Sequence, residues 1–254
     1  MTFDLTVELD VPHRPDLAPV RRQVDTLGDL AARFLVPDNH TGRAAVAGLV
    51  VAGAVRDAGA EAVVVLNARD RNTLGLRRDL LGLLALGVGE VLLLRGDRPD
   101  DDAEDGPLTV SAMLCETRDL AAEHERTLRV GVVASLGRDL PGWKRETDAV
   151  YLAPSFSVPA VTAWRERHAD VTAPVRAGVL VPTGPEMARG IADTIPDLDM
   201  PDGLLDALAE DPDAGVDAAC EHVVALREAG VVDGVHLVPV SRYPLVARRL
   251  DALL

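Results

Sequence analysis

The sequence predicts a (β/α)8 TIM barrel, an α/β fold built as a single domain. Short β-branched or leucine-rich runs alternate eight times with apolar-periodic segments. The runs are apolar throughout, as strands covered on both faces of a parallel sheet are. No linker or change of composition interrupts the series, so one closed ring is the economical reading and an open doubly wound sheet the fallback.

The stretch from Ala62 to Asp97 states the pattern most clearly. Ala62 to Leu66 is a β-branched run. In the segment from Thr73 to Leu86, Leu74, Leu76, Leu80, Leu81, Leu83, Leu84 and Leu86 fall mostly at three- and four-residue steps, and Glu90 to Leu94 is a second strand. That is one βαβ unit. Both strands release charge at their carboxyl ends, Asn67, Arg69 and Asp70 after the first and Arg95 and Asp97 after the second. Parallel α/β folds collect ligand-binding groups at those ends.

In chain order, Leu5–Leu9 is a strand ending at Glu8 and Asp10, with a helix from Leu17 to Leu30. Arg33–Val36 is the second strand, ending in Pro37, Asp38, Asn39 and His40, and Arg43–Ala58 its helix. The fourth strand leads into an acidic, solvated loop, Asp97–Asp105, and a helix over Val110–His124. Arg129–Ala134 is the fifth strand, and only Gly137–Thr147 separates it from the sixth, Ala149–Leu152, a crossover near the minimum for parallel strands. A helix over Val158–Arg167 follows, then a strand at Arg176–Val181. Three helical pieces come next, Glu186–Asp193, Asp202–Ala209 and Ala214–Ala229, before the last strand, Val235–Val238, and the last helix, Tyr243–Leu254.

The formal charge of −15 argues against a nucleic-acid binder, because phosphate backbones require a basic face. No apolar run reaches the roughly 18 residues of a membrane span, and the start carries no basic, apolar leader, so a cytoplasmic protein is expected. Cys115 and Cys220 are isolated within helices and read as structural. His13, His40 and His236 are not paired at ligand spacing, and no metal site is expected. The lone lysine, Lys144, lies in the short crossover rather than at a strand end, which disfavours Schiff-base chemistry.

What remains is a mouth of carboxylates and arginines suited to a polar planar ligand with a glutamate-like tail. Glu8 serves there as general acid or base where apolar neighbours such as Val36 keep its carboxyl protonated. The alternative for Glu8 is a structural carboxylate paired with an arginine.

Several stretches together resemble the methylenetetrahydrofolate reductase family. They are Val7-Glu8-Leu9, Val36-Pro37-Asp38-Asn39, Leu66 to Asn72, Asp79 to Gly82, Leu94-Arg95-Gly96-Asp97, Ala177 to Pro182, Val232 to His236, and Arg242. The resemblance spans nearly the whole chain. It implies a barrel that reduces 5,10-methylenetetrahydrofolate to 5-methyltetrahydrofolate in one-carbon metabolism and methionine biosynthesis, with FAD and NAD(P)H as cofactors. It makes Glu8 and Asp97 catalytic, places Asp38, Asn39, Asn67, Arg69, Asp70, Arg95, Gly96 and Ser135 around the flavin, and gives Asp97, Phe156 and Arg242 to the folate. Departures stand at Pro37, Val65 and Ala153, where the family carries polar contacts, and in the shortened fifth crossover. They leave room for direct hydride transfer from NAD(P)H, for a non-redox folate- or pterin-binding or accessory subunit, for another substrate on the same scaffold, and for a homo-oligomer.

Overall fold

The structure is a computed structural model that describes residues 3–39, 43–96, 107–195 and 198–253. Its strands are β1 (Asp4–Glu8), β2 (Arg33–Val36), β3 (Ala62–Asn67), β4 (Glu90–Leu94), β5 (Arg129–Ala134), β6 (Ala149–Pro154), β7 (Val175–Leu180) and β8 (Gly234–Val238). They are parallel neighbours in chain order and close into a barrel, as the alternation predicts. The helices are α1 (Ala18–Leu27), α2 (Gly48–Asp57), α3 (Thr73–Ala85), α4 (Val110–Glu123), α5 (Gly142–Arg145), α6 (Val158–Arg167), α7 (Pro185–Thr194), α8 (Leu204–Glu210), α9 (Ala214–Ala229) and α10 (Tyr243–Leu253). The chain divides into two compact units, one of Met1–Glu8, Thr26–Ala32 and Ala134–Leu254, the other of Leu9–Asp25 and Arg33–Val133.

In the second unit all six residues of β3 are buried, which is why the run reads as apolar rather than alternating. The α3 leucines Leu76, Leu80 and Leu83 bury one stripe of that helix. Asn72 caps α3 by accepting from the Gly75 N–H at 2.9 Å, and Thr109 caps α4 by accepting from Ala112 at 3.2 Å. The α2 helix starts five residues later than the sequence predicts. Ala47 sits at φ −53°, ψ 132°, and the Val46 N–H donates to the Pro12 carbonyl at 3.0 Å, so this backbone is spent outside the helix. Glu90, at the start of β4, is buried between the guanidinium groups of Arg129 and Arg33.

In the first unit, β1 pairs with β8 and β8 with β7 through Asp4–Gly234–Arg176, and β6 joins through Tyr151–Arg176. This register fixes β1 one residue earlier than predicted. Asp233 braces two strand starts: its N–H donates to the Val175 carbonyl at 2.9 Å, its carboxylate accepts from the Val175 N–H at 2.8 Å, and its carbonyl accepts from Asp4 at 3.0 Å. A Cβ on Gly234 would stand 2.3 Å from the Asp4 carbonyl oxygen, so only glycine lets β1 approach here. The short crossover holds the four-residue α5. Behind it, buried His168 accepts from the Leu140 N–H at 3.0 Å, donates to the Trp164 carbonyl at 2.9 Å and stacks on the Trp164 ring at 4.4 Å. That fixes its neutral tautomer.

His222 of α9 is also buried, 5.7 Å from the Phe156 ring. Burial lowers its pKa from the ordinary 6.5 to about 4, against a smaller opposing bond with the Ser155 backbone. As the pH drops below 6.5 the unfolded chain takes up this proton first, so the stabilisation is full above that pH and is lost as pH falls toward 4. It amounts to about 3 kcal/mol. Denaturant titrations at about pH 7 and about pH 4 should show His222→Leu losing about 3 kcal/mol less than the native chain; equal losses refute this. Removing the carboxylate in Asp4→Ala leaves the buried Arg176 guanidinium uncompensated and should cost about 3 kcal/mol at neutral pH. A loss under about 0.5 kcal/mol would show that the pair is not a structural anchor.

Candidate active site

Residues two apart on a strand share a face, so Asp4, Thr6 and Glu8 form one row on β1, and Thr6 is register partner to His236 of β8. At the bottom of the row, Arg176 donates from Nε and Nη2 to the two carboxylate oxygens of Asp4, both at 3.0 Å. The guanidinium also lies 5.3 Å from the Tyr151 ring centre, a cation–π contact. Tyr151 meets the His236 ring edge-on, centroids 5.9 Å apart and planes at 78°. At the top, His236 Nε2 lies 3.0 Å from Glu8 Oε2, with side-chain exposures of 13% and 16%. The oxygen sits off the ring's N–H axis, so the contact is a close pair rather than a straight hydrogen bond, and buried Nε2 has no other partner among the described residues.

The described partner of Glu8 is thus a histidine where the alternative reading expects an arginine. Sequence reasoning weighed His236 only as a metal ligand and passed over Asp4, Tyr151 and Arg176. The signals available were the two-residue spacing of Asp4, Thr6 and Glu8 and the Asp233-Gly234-Val235-His236 run.

The residues expected around a flavin lie mostly in the second unit, where they bond to one another. Asp38 Oδ2 accepts from the Asn67 N–H at 3.0 Å, from Asn67 Nδ2 at 2.8 Å and from Arg71. Asp70 Oδ2 accepts from Asn67 Nδ2 at 2.9 Å and from Asn39 Nδ2 at 2.8 Å, and the Asp70 N–H donates to Asn67 Oδ1 at 2.9 Å. Arg69 Nε donates to the Gly96 carbonyl at 3.2 Å. Gly96 has φ +93°, and a Cβ there would stand 2.9 Å from the Asn67 Cβ, so the β4 end is pressed against this network by glycine alone. Burial opposes the charge on Arg71, but Asp38 and then Asp79 outweigh it and raise its pKa. Arg95 is exposed beside Gly96. Outside the network an open groove of about 620 Å³ is lined by Asn39, Asp70, Asn72, Leu74 and Arg78.

Ser135 directly follows β5 and is partly exposed. Phe156 follows β6, donates its N–H to Leu198 at 2.8 Å and packs against Ala188, Leu204 and Leu208. Arg242 donates from Nη1 to Asp213 Oδ1 at 3.1 Å. Asp97, His40 and the acidic loop lie outside the described residues. His13 bonds the Ala44 carbonyl through Nδ1 at 2.7 Å. Among the described residues no group of three or more His, Cys, Asp or Glu is arranged to hold a metal ion, and no helix is long and apolar enough to cross a membrane. Cys220 is buried, its thiol pushed up to about 12 by burial and then by Asp217. Cys115 is exposed on α4.

No family model and no curated protein sequence matches this chain. Solved structures do. A protein from Clostridium thermocellum that binds two copies of 5-methyl-5,6,7,8-tetrahydrofolic acid matches at TM-score 0.65 and 11% identity, covering 99% of this chain and 94% of its own. A mutant tryptophan synthase α-subunit from Pyrococcus furiosus matches at TM-score 0.61 and 15% identity, covering 100% and 99%. Tryptophan synthase from M. tuberculosis matches at TM-score 0.54 and 18% identity, covering 99% and 90%. At these identities the likeness establishes the TIM-barrel fold, and function has to be argued from the site.

Proposed function

We propose that the chain binds a reduced folate beside Glu8 and reduces the 5,10-methylene bridge to a 5-methyl group with a hydride from NAD(P)H. The observation that carries this reading is the Glu8–His236 pair, a mostly buried carboxylate at the carboxyl end of β1 with an imidazole nitrogen 3.0 Å from it. The ligand of the Clostridium thermocellum neighbour has the chemistry of the product, which supports a folate on a barrel of this kind.

Glu8 acts as the acid toward the N5–CH2–N10 bridge. A proton there makes N10 a leaving group, the carbon–N10 bond opens, and the hydride completes the methyl group on N5. The balance is one proton and one hydride per turnover. Phe156 offers an apolar wall for the pterin and Arg242 a cation for the folate tail, with Asp97 proposed as a second catalytic and folate-binding group.

FAD does not fit the residues present. Pro37 has no N–H, Val65 is a buried alkyl side chain in β3, and Ala153 carries no polar atom. Asp38, Asn67 and Asp70 spend hydrogen bonds on each other. We therefore route the hydride directly from the nicotinamide. The same closed network favours one second reading, a folate-binding or accessory subunit without redox chemistry, working alone or as an oligomer.

Two assays on the purified protein separate these readings: calorimetric titration with 5-methyltetrahydrofolate, and NAD(P)H oxidation in the presence of 5,10-methylenetetrahydrofolate. Binding with oxidation by colourless protein supports the first reading, binding without oxidation the second, and neither result removes both. A visible flavin spectrum would overturn direct transfer. Glu8→Gln should lower kcat at least about a hundredfold while changing folate affinity only a few-fold, and unchanged turnover removes Glu8 from the chemistry.

A further inference from the structure

We propose that His236 is the positioning residue for Glu8 and that the two side chains hold and deliver a single proton as a pair; the catalytic part of this rests on the reading of Glu8 as the acid. The first ground is the 3.0 Å separation of His236 Nε2 and Glu8 Oε2, within hydrogen-bond reach but off the ring's axis. A buried imidazole nitrogen without an aligned partner is costly to keep unless its partner engages in the working complex. Catalytic hydrogen bonds are often misaligned in the ligand-free protein and straighten when ligand docks.

The second ground is what holds the imidazole from behind. Its ring is met edge-on by Tyr151 of β6, Tyr151 is held under the guanidinium of Arg176 of β7, and Arg176 is fixed by two bonds to Asp4 of β1. Gly234, two residues before His236 on β8, leaves the space that Asp4 occupies. The imidazole is thus braced, through Tyr151, on the ion pair of Arg176 and Asp4. Among the described contacts, the titratable and charged groups are Glu8 at Nε2 and Tyr151 at the ring, with Arg176 over Tyr151 and paired with Asp4. Thr6, its register partner, contributes a neutral hydroxyl that is buried without a partner among the described residues.

The step balances. The working pair starts as imidazolium and carboxylate: the His236 Nε2–H bond breaks as an O–H forms on Glu8, and that O–H then breaks as the proton passes to the folate bridge. The pair is left as neutral imidazole and carboxylate, and water returns one proton to it. His236 thus fixes the direction in which the Glu8 carboxyl points and supplies the proton it delivers.

The test uses His236→Gln, whose amide can still hydrogen-bond Glu8 but cannot titrate, together with Glu8→Gln. In His236→Gln, kcat should drop about tenfold or more, KM should move by no more than about threefold, and the pH–rate profile should be governed by one ionising group in place of two. A folate-independent readout is the ¹⁵N resonance of His236 Nε2 in ligand-free protein, which should shift between the native chain and Glu8→Gln. Native-like turnover and pH profile in His236→Gln, with an unmoved resonance, overturn the proposal. A resonance that moves in protein lacking any folate turnover supports the pair and refutes the reductase reading. If His236→Gln does not fold, the resonance in Glu8→Gln decides alone.

Discussion

The ion pair between the buried Arg176 and the partly exposed Asp4 is the constraint on which the first unit is built. A charge inside a strand layer is tolerated when an opposite charge meets it, and here the guanidinium takes both carboxylate oxygens through Nε and Nη2 and lies against an aromatic face. Meeting that condition demands Gly234 between them, so one electrostatic requirement sets the register of β1, β8 and β7 together. The second unit repeats the device at its own strand starts, where Glu90 sits between Arg129 and Arg33. In both, the polar cost of a buried charge is converted into a unique strand alignment, because a slip of one residue would strand it.

Above those anchors the two units use their strand ends differently. In the second unit Asp38, Asn67, Asp70 and Arg71 form a closed set of bonds, with Gly96 pressed against Asn67. Side chains so committed are rigid, and they have little hydrogen-bonding capacity left for a ligand. In the first unit Glu8 and His236 meet without a straight bond, and Nε2 keeps its capacity. Chemistry is placed where polar groups are buried but incompletely satisfied, which is why the proposed reaction centres on Glu8 and not on the denser cluster.

The (β/α)8 alternation was legible because it is written in neighbours along the chain. A fully apolar run such as Ala62–Leu66 and a three- and four-residue leucine spacing such as that of α3 depend only on local sequence, and β5 and α6 begin and end where that sequence predicts. Boundaries failed where distant contacts take over. Residues before Gly48 look helical, but the Val46 N–H donates to the Pro12 carbonyl, and β1 is shifted to Asp4–Glu8 by its pairing with β8. The exposed Cys115 was not legible either, since helical membership does not say which face a residue takes.

The sequence by itself determined the order of strands and helices and put Glu8 at a strand's carboxyl end, because propensity and periodicity act over a few residues. Only the tertiary structure decided that the partner of Glu8 is a histidine from the last strand, steadied by a tyrosine, an arginine and an aspartate from three others. Those choices follow from register across a closing sheet and from the space glycine leaves at Gly234. Neither is encoded in any short window of the chain.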